Sequence, residues 1–388
     1  MIRPDSLSEN WPKVHLGDVV EFLDHKRKPI TAKDRVSGPY PYYGANGQQD
    51  SVESYIFDEP LVLLAEDGGN FGDPSRTIAY QVEGKCWVNN HAHVLRPTEK
   101  VDIRYLCRHL EMYDVRTHIN GATREKLNKG AAQKILISLP PLEEQKRIAA
   151  ILDKAVAIRD KRQQAIELTD QLLRSVFLDM FGDPLTNTKG IPTAKLSDIG
   201  EIITGNTPSR KKPEYYGDHI EWVKSNNINT PNHYLTKAEE YLSHKGLEVG
   251  RSVPENSILV TCIAGSKACI GNIAMTDRSV AFNQQINAIV PNQSISTLFL
   301  YAQICFNKKL VQRASTESMK GLVSKSKFSD IEILLPAKNE QEKYVDFFVK
   351  SIEKIKSMNE AKIKADELFN ALIQNFFNGK LSKQTKAA

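Results

Sequence analysis

Several stretches of this chain mix cations, side-chain amides and tyrosines, a combination suited to a partner that offers both negative charge and hydrogen-bonding edges. HKRKP at 25–29 is followed by YPYYGANGQQD at 40–50, which groups His25, Lys26, Arg27 and Lys28 with Tyr42, Tyr43, Asn46, Gln48 and Gln49. TGNTPSRKKPEYYGDHIEWVKSNNI at 204–228 is denser: it holds Asn206, Thr207, Arg210, Lys211 and Lys212, then Tyr215, Tyr216, Lys224, Asn226 and Asn227. Lysine and arginine suit phosphate oxygens, while Asn, Gln and Arg can form paired hydrogen bonds to adenine or guanine edges and tyrosine can stack or pack on a thymine methyl. Two further segments, THINGATREKLNKG at 117–130 and STESMKGLVSKSKFSD at 315–330, add Arg124, Lys126 and Lys129, and Lys320, Lys325 and Lys327. Both put glycine near lysine just before a closing strand, a placement suited to backbone phosphate contact. The plainer alternative at each stretch is a solvated, charged turn.

Motifs for covalent chemistry are missing. The sequence has no G-x-x-x-x-G-K-[ST] loop for ATP and no N-P-P-Y-like segment of an amino-methyltransferase. AEDGGNFGDP at 65–74 reads as a turn rather than a cofactor loop. His91 and His93 have the spacing to face one side of a strand, yet no third ligand follows at metal-binding spacing. Glu83-Gly84-Lys85 resembles the tail of a nuclease signature without its upstream acid, and Cys262 and Cys269 lie in an apolar run as core thiols. No catalytic residue, metal or cofactor is expected.

Composition narrows the class further. A length of 388 residues suggests two or three domains, with 40% hydrophobic and 26% charged residues giving an ordinary globular mixture. The net charge of +5 is mildly basic. Five scattered cysteines without C-x-x-C spacing argue against a disulfide framework or zinc ribbon. No signal peptide and no 18-residue apolar run are visible, so a cytoplasmic protein without a membrane span is expected.

The elements that must position the polar stretches emerge from an internal repeat. ILISLPPLEEQK at 135–146 recurs as IEILLPAKNEQE at 331–342, aligning Pro140 with Pro336 and Gln145 with Gln341 at an offset of 196. LLRSVFLDMF at 172–181 matches LFNALIQNFF at 368–377 at the same offset, and KVHLGDVVEF at 13–22 resembles AKLSDIGEII at 194–203. WVNNHAHVLRP at 87–97 and AFNQQINAIVP at 281–291 each read as a β-type run ending in proline after an amide-rich turn. Residues 142–181 lack proline and glycine and repeat apolar residues at helical spacing; 338–377 do the same, interrupted by Asn359, Lys362 and Asp366. Forty residues make a rod of roughly 60 Å, and two rods with one apolar stripe each should pack together. The expected fold is therefore α+β: two tandem mixed α/β domains with twisted β-structure, separated by two long helices packed as an antiparallel coiled coil. The expected division is 1–140, a spacer helix at 141–184, 185–336, and a second spacer helix and tail at 337–388.

With the repeat, the PLEEQ and AKNEQ helix starts, YPYYGANG, YIFDEPLVLLAEDGG and GEIITGNTPSRKKPEYYGDHIEWVK on the page, the chain resembles the specificity subunit of type I restriction-modification systems over nearly its whole length. That resemblance implies two target-recognition domains, each reading one half of a bipartite, asymmetric duplex DNA target. The helices would set the spacing and dock two methyltransferase subunits, with two ATP-dependent restriction subunits completing the complex. Methylation and cleavage would belong to those partners, leaving this chain non-catalytic and without a cofactor of its own. The residues also admit a protein-binding scaffold, or the specificity subunit of a related system whose partner fuses nuclease and methyltransferase.

Overall fold

A computed structural model describes residues 2–71, 73, 76–119, 125–228, 233–316, 321–378 and 380. The chain divides into two compact units, Met1–Gln163 with Glu360–Ala388, and Gln164–Asn359. The first long helix, Leu142–Phe181, and the second, Lys338–Phe377, each contribute one part to either unit. Among the described residues no helix is long and apolar enough to cross a membrane.

Each unit holds a head built on the same strand order. In the first head Val20–Phe22, Ala92–Pro97, Leu61–Ala65 and Ala79–Val82 form one sheet in that order; in the second, Gly200–Thr204, Ile286–Pro291, Ile258–Thr261 and Ile273–Met275 do so. A second sheet joins Gly47–Val52, Tyr40–Gly44, Lys85–Val88 and Phe57–Asp58, matched by Tyr241–Leu242, Tyr216–Val223, Val280–Phe282 and Ser252–Val253. In both, the central pair is parallel, with Tyr42 opposite Trp87 and Trp222 opposite Ala281. LVLLA at 61–65 is wholly buried, as expected for a central strand covered on both faces.

Small polar fasteners recur with the strands and explain why those sequence fragments repeat. Asn89 Oδ1 accepts from His91 N–H at 2.8 Å, and Asn283 Oδ1 from Gln285 N–H at 3.1 Å, so each amide-rich turn closes on its first asparagine. Asp18 and Asp198 each accept the backbone N–H three residues earlier, at 3.2 Å. A short strand pair closes each head: Lys13–His15 against Leu136–Ser138, and Thr193–Lys195 against Glu332–Leu334. The Glu83-Gly84-Lys85 triplet makes the tight connection between the two sheets, with Gly84 at φ +70° between Ala79–Val82 and Lys85–Val88.

The glutamine of each helix start is the strongest of these fasteners. Gln145, one turn into the first long helix, accepts from Asp102 N–H at 2.8 Å and donates to Pro140 O at 2.8 Å and Lys100 O at 3.1 Å. Gln341 repeats this with Ser296 N–H at 2.9 Å, Pro336 O at 3.0 Å and Ser294 O at 3.3 Å. Asp102 and Ser296 are the N-cap residues of Ile103–Glu111 and Thr297–Phe306, so one amide ties each long helix to a short helix of its head.

Apolar packing then fixes the long helices antiparallel within each unit. In the first unit Ile148, Ala149 and Leu152 share a core with Phe369, Ile373, Phe376 and Phe377. In the second, Ile166, Leu173 and Phe177 pack with Tyr344, Phe348 and Ile355. The polar interruption expected at Lys362 and Asp366 has a partner that periodicity did not show: Arg159 pairs with Asp366 at 2.6 Å and lies over Phe369 at 4.6 Å.

Candidate nucleic-acid interface

In the first head the turn carrying His25, Lys26 and Lys28 is exposed but anchored from beneath. Arg27 faces inward: its Nη1 donates to Glu66 at 2.7 Å and to Ala92 O at 2.7 Å. His93, fully buried, sets Nδ1 2.6 Å from Asp24 and Nε2 2.8 Å from Leu127 O, while Lys126 reaches Glu66 at 3.0 Å. Burial alone would raise the Asp24 carboxyl, but the hydrogen bond and charge of His93, with Val94 N–H and Arg27, outweigh it and hold the group below its ordinary value. Glu66 is likewise pushed up by burial and brought below its ordinary value by Arg27, Lys126 and His93. Asp24, Glu66 and His93 place ligand-type atoms within 4.8 Å of one another. Arg27 and Lys126 already hold the Glu66 carboxylate, His93 faces acceptors from both ring nitrogens, and the cluster serves as a fastener for the turn and the closing segment.

Tyr42 belongs to the core rather than the surface: it is 1% exposed, its hydroxyl bonds Ile30 N–H at 3.0 Å, and Arg35 lies 4.3 Å from its ring centre. Tyr43 is half-buried beside Tyr80. Asn46, Gln48 and Gln49 are exposed, and Gln48 donates to Asp50 O and Ser51 Oγ, both at 3.1 Å. Asn46 donates to Gly68 O at 2.9 Å and accepts from Asn70, while Gln49 accepts from Asn89 at 3.2 Å. Lys129 is exposed with its ammonium over Phe22, at the start of a short helix capped by Asn128. Arg124 lies outside the described residues.

The second head presents a basic and aromatic corner. Tyr216 and Trp222 meet edge to face at 6.0 Å; Tyr216 donates to Pro208 O at 2.6 Å and Trp222 Nε1 to Asn206 O at 3.3 Å. Gly205 permits this closeness, since a Cβ there would meet Asn283 O at 2.2 Å. Arg210 lies over both rings, at 4.3 and 5.0 Å, and pairs with Glu240 at 2.5 Å; Lys224 lies over Trp222 and pairs with the same carboxylate. Asn206 donates to Val249 O at 2.8 Å, and Thr207 donates to Gln284. Lys211, Lys212, Asn226, Lys325 and Lys327 are exposed, and Lys212 reaches the Tyr215 hydroxyl at 3.2 Å. Asn227 is buried and braces the turn, accepting from Lys224 N–H at 3.0 Å and donating to Lys237 O at 3.0 Å. Lys320 lies outside the described residues. Composition alone did not single out Arg35, Asp50, Trp222 or Glu240; the two acids act across strand pairs, where spacing along the chain gives no cue.

The chain matches the model of the family described as "Type I restriction modification DNA specificity domain" twice, over residues 8–168 and 189–366. It belongs to that family. The two matches fall on the two halves of the repeat, each covering a head and much of its following long helix. Among curated relatives, the type I restriction enzyme HindI specificity subunit of Haemophilus influenzae is 32% identical over 202 residues, 50% of this chain and 42% of the relative. The MjaIX specificity subunit of Methanocaldococcus jannaschii is 30% identical over 197 residues, 47% of this chain and 43% of the relative. The matched stretches thus span less than half of these relatives' own length. A solved S subunit of a type I restriction-modification system from M. genitalium has a similar fold, with a TM-score of 0.59 at 12% identity over 95% of this chain and 96% of that one. Membership of the type I specificity family thus joins a duplicated sequence to a duplicated two-domain fold.

Proposed function

We propose that the protein is the DNA-binding specificity subunit of a type I restriction-modification complex, non-catalytic itself, with each head reading one half of a bipartite, asymmetric duplex target. The observation that carries this reading is a repeated framework with unlike surfaces. The first head exposes His25, Lys26 and Lys28 with Asn46, Gln48 and Gln49, whereas the second exposes Arg210, Lys211 and Lys212 with Thr207 and Asn226. Two unlike surfaces on one frame suit a ligand with two unlike recognition elements, and duplex DNA repeats its presented face about every 34 Å.

In this reading residues 1–140 and 185–336 are the recognition domains and 141–184 and 337–388 carry the spacer helices, whose length sets the gap between half-sites. Two methyltransferase subunits dock on the helices, and two restriction subunits complete the complex; adenine N6 methylation and ATP-driven cleavage are their chemistry. Paired docking is supported by Leu172 and Leu368, repeat-equivalent residues left 51% and 60% exposed on the long helices. Sequencing the methylome of cells that express the chain with its methyltransferase partner tests the proposal. A new interrupted, asymmetric motif carrying N6-methyladenine is expected, and replacing residues 1–140 by those of a relative should change one half of it. The absence of any new motif, or a swap that changes both halves, refutes it.

A further inference from the structure

The two heads share a feature that the sequence repeat does not display. In each, an arginine lies on the aromatic ring at the same position of the parallel strand pair and bonds an acid on, or immediately before, the neighbouring strand. In the first head Arg35 sits 4.3 Å from the centre of Tyr42 and pairs with Asp50 at 3.2 Å; Tyr42 and Asp50 are register partners. In the second, Arg210 sits 5.0 Å from the centre of Trp222 and pairs with Glu240, whose carbonyl accepts the Trp222 N–H at 2.8 Å.

The solvation of the two arginines differs. The Arg35 side chain is 17% exposed, and its Nε is also committed to Ile30 O at 3.1 Å, so it fastens the loop to the sheet. The Arg210 side chain is 54% exposed, and among the described residues its Nη2 bonds the Glu240 carboxylate and its other nitrogens bond no protein acceptor. The guanidinium is held by the Glu240 carboxylate and by the rings of Tyr216 and Trp222, while more than half of the side chain stays exposed. Both rings are themselves hydrogen-bonded to the 206–208 backbone, so little rotamer freedom is left to lose on binding.

The geometry points to Arg210 as a guanine-reading residue of the second head, with Glu240 as its positioning residue; this deepens the DNA-reading proposal and rests on it. A guanidinium edge matches the O6 and N7 acceptors of guanine in the major groove, which are neutral. A carboxylate beside the arginine weakens its pull on phosphate yet fixes the direction of its free donors, an arrangement suited to a neutral base edge rather than to the backbone. Lys224, bonded to the other oxygen of Glu240, offsets the acid's charge so that the corner stays net positive.

Selection by the full chain, assembled with its methyltransferase subunits, from a pool of random-sequence duplexes separates the outcomes. Wild type enriching no motif would defeat the DNA-reading proposal itself, whatever Arg210 does. With a motif in hand, Arg210→Ala is expected to lose preference at a single G:C pair of one half-site by roughly 5- to 150-fold, the range of one bidentate contact, with every other position unchanged. Arg210→Lys keeps the charge without the fork and should lose preference at the same pair. Glu240→Gln keeps the shape and should weaken that pair severalfold. A uniform loss of affinity with all preferences intact would make Arg210 a phosphate contact and overturn the inference, as would unchanged selection by both Arg210→Lys and Glu240→Gln. Should Arg210→Ala melt well below wild type, the Lys and Gln variants decide.

Discussion

Replacing Gln145 or Gln341 by alanine should destabilise the unit that contains it, by similar amounts in the two cases. Each residue is 1% exposed and its side chain makes three hydrogen bonds, one to the N-cap N–H of a short helix, one to the carbonyl of a residue two positions before that cap and one to a proline carbonyl just before the long helix. Truncation strands that N–H, at a cost of about 1–3 kcal/mol, and removes two further bonds whose carbonyls each keep a second lone pair, so the total is about 2–4 kcal/mol. For a unit of roughly 200 residues each kcal/mol moves the melting temperature by about 2–4 °C, which sets the expected drop at about 4–16 °C. Because Gln145 lies in one unit and Gln341 in the other, the double variant should show both losses without extra coupling. Calorimetry of the full chain reads both units at once. A drop below about 1 °C in either single variant would show that water replaces the amide and would refute the clamp.

Two further outcomes follow from burial and charge. Asp24 and Glu66 are held below their ordinary values of 3.8 and 4.5, so the stability they contribute is present above those values and lost as pH falls through the depressed ones. Denaturation below about pH 4.5 should therefore steepen for wild type and flatten for the Asp24→Asn, Glu66→Gln double variant, which starts less stable at pH 7; equal pH slopes would refute the assignment. Burial pushes the Cys86 thiol up to about 11 and the Cys262 thiol up to about 12, and raises Cys107 and Cys305 as well. Disulfide-exchange titration of the native chain at pH 8 should accordingly register about one fast thiol, the half-exposed Cys269, and all five only in denaturant. Three or more fast thiols in the folded chain would contradict the burial.

What the sequence made legible was whatever acts locally. The helix starts could be read because Gln145 and Gln341 each bond the carbonyl of a proline five residues earlier, Pro140 and Pro336, while their bonds to the short helices are long-range and gave no cue. The amide-rich turns could be read because Asn89 and Asn283 bond two residues ahead. The strand order could not, since neighbours such as Val20–Phe22 and Ala92–Pro97 are brought together only by long-range pairing. The same limit governed the interface. Arg27, Tyr42 and Asn227 have the residue types of a reading surface, but their partners, Glu66, Ile30 and Lys237, turn them inward. Glu240 gave no signal because its partner Arg210 is 30 residues away.

The divergence between the heads is itself informative about how such a protein changes what it reads. Positions that close a turn, cap a helix or clamp a long helix carry matching side chains in both halves: Asn89 and Asn283, Asp18 and Asp198, Gln145 and Gln341. Where the frame tolerates different chemistry, the halves part: His93 with Asp24 against Asn287 with Thr204, and a sealed Arg35 against an open Arg210. Asp24 and His93 hold further partners, Val94 N–H and Arg27 on the first and Leu127 O on the second, so truncating either strands more buried polar groups than truncating Thr204 or Asn287. Single substitutions should therefore be better tolerated at Thr204 or Asn287 than at Asp24 or His93. The second head is then the one more open to piecemeal change, and the first is bound to change its inner pair together.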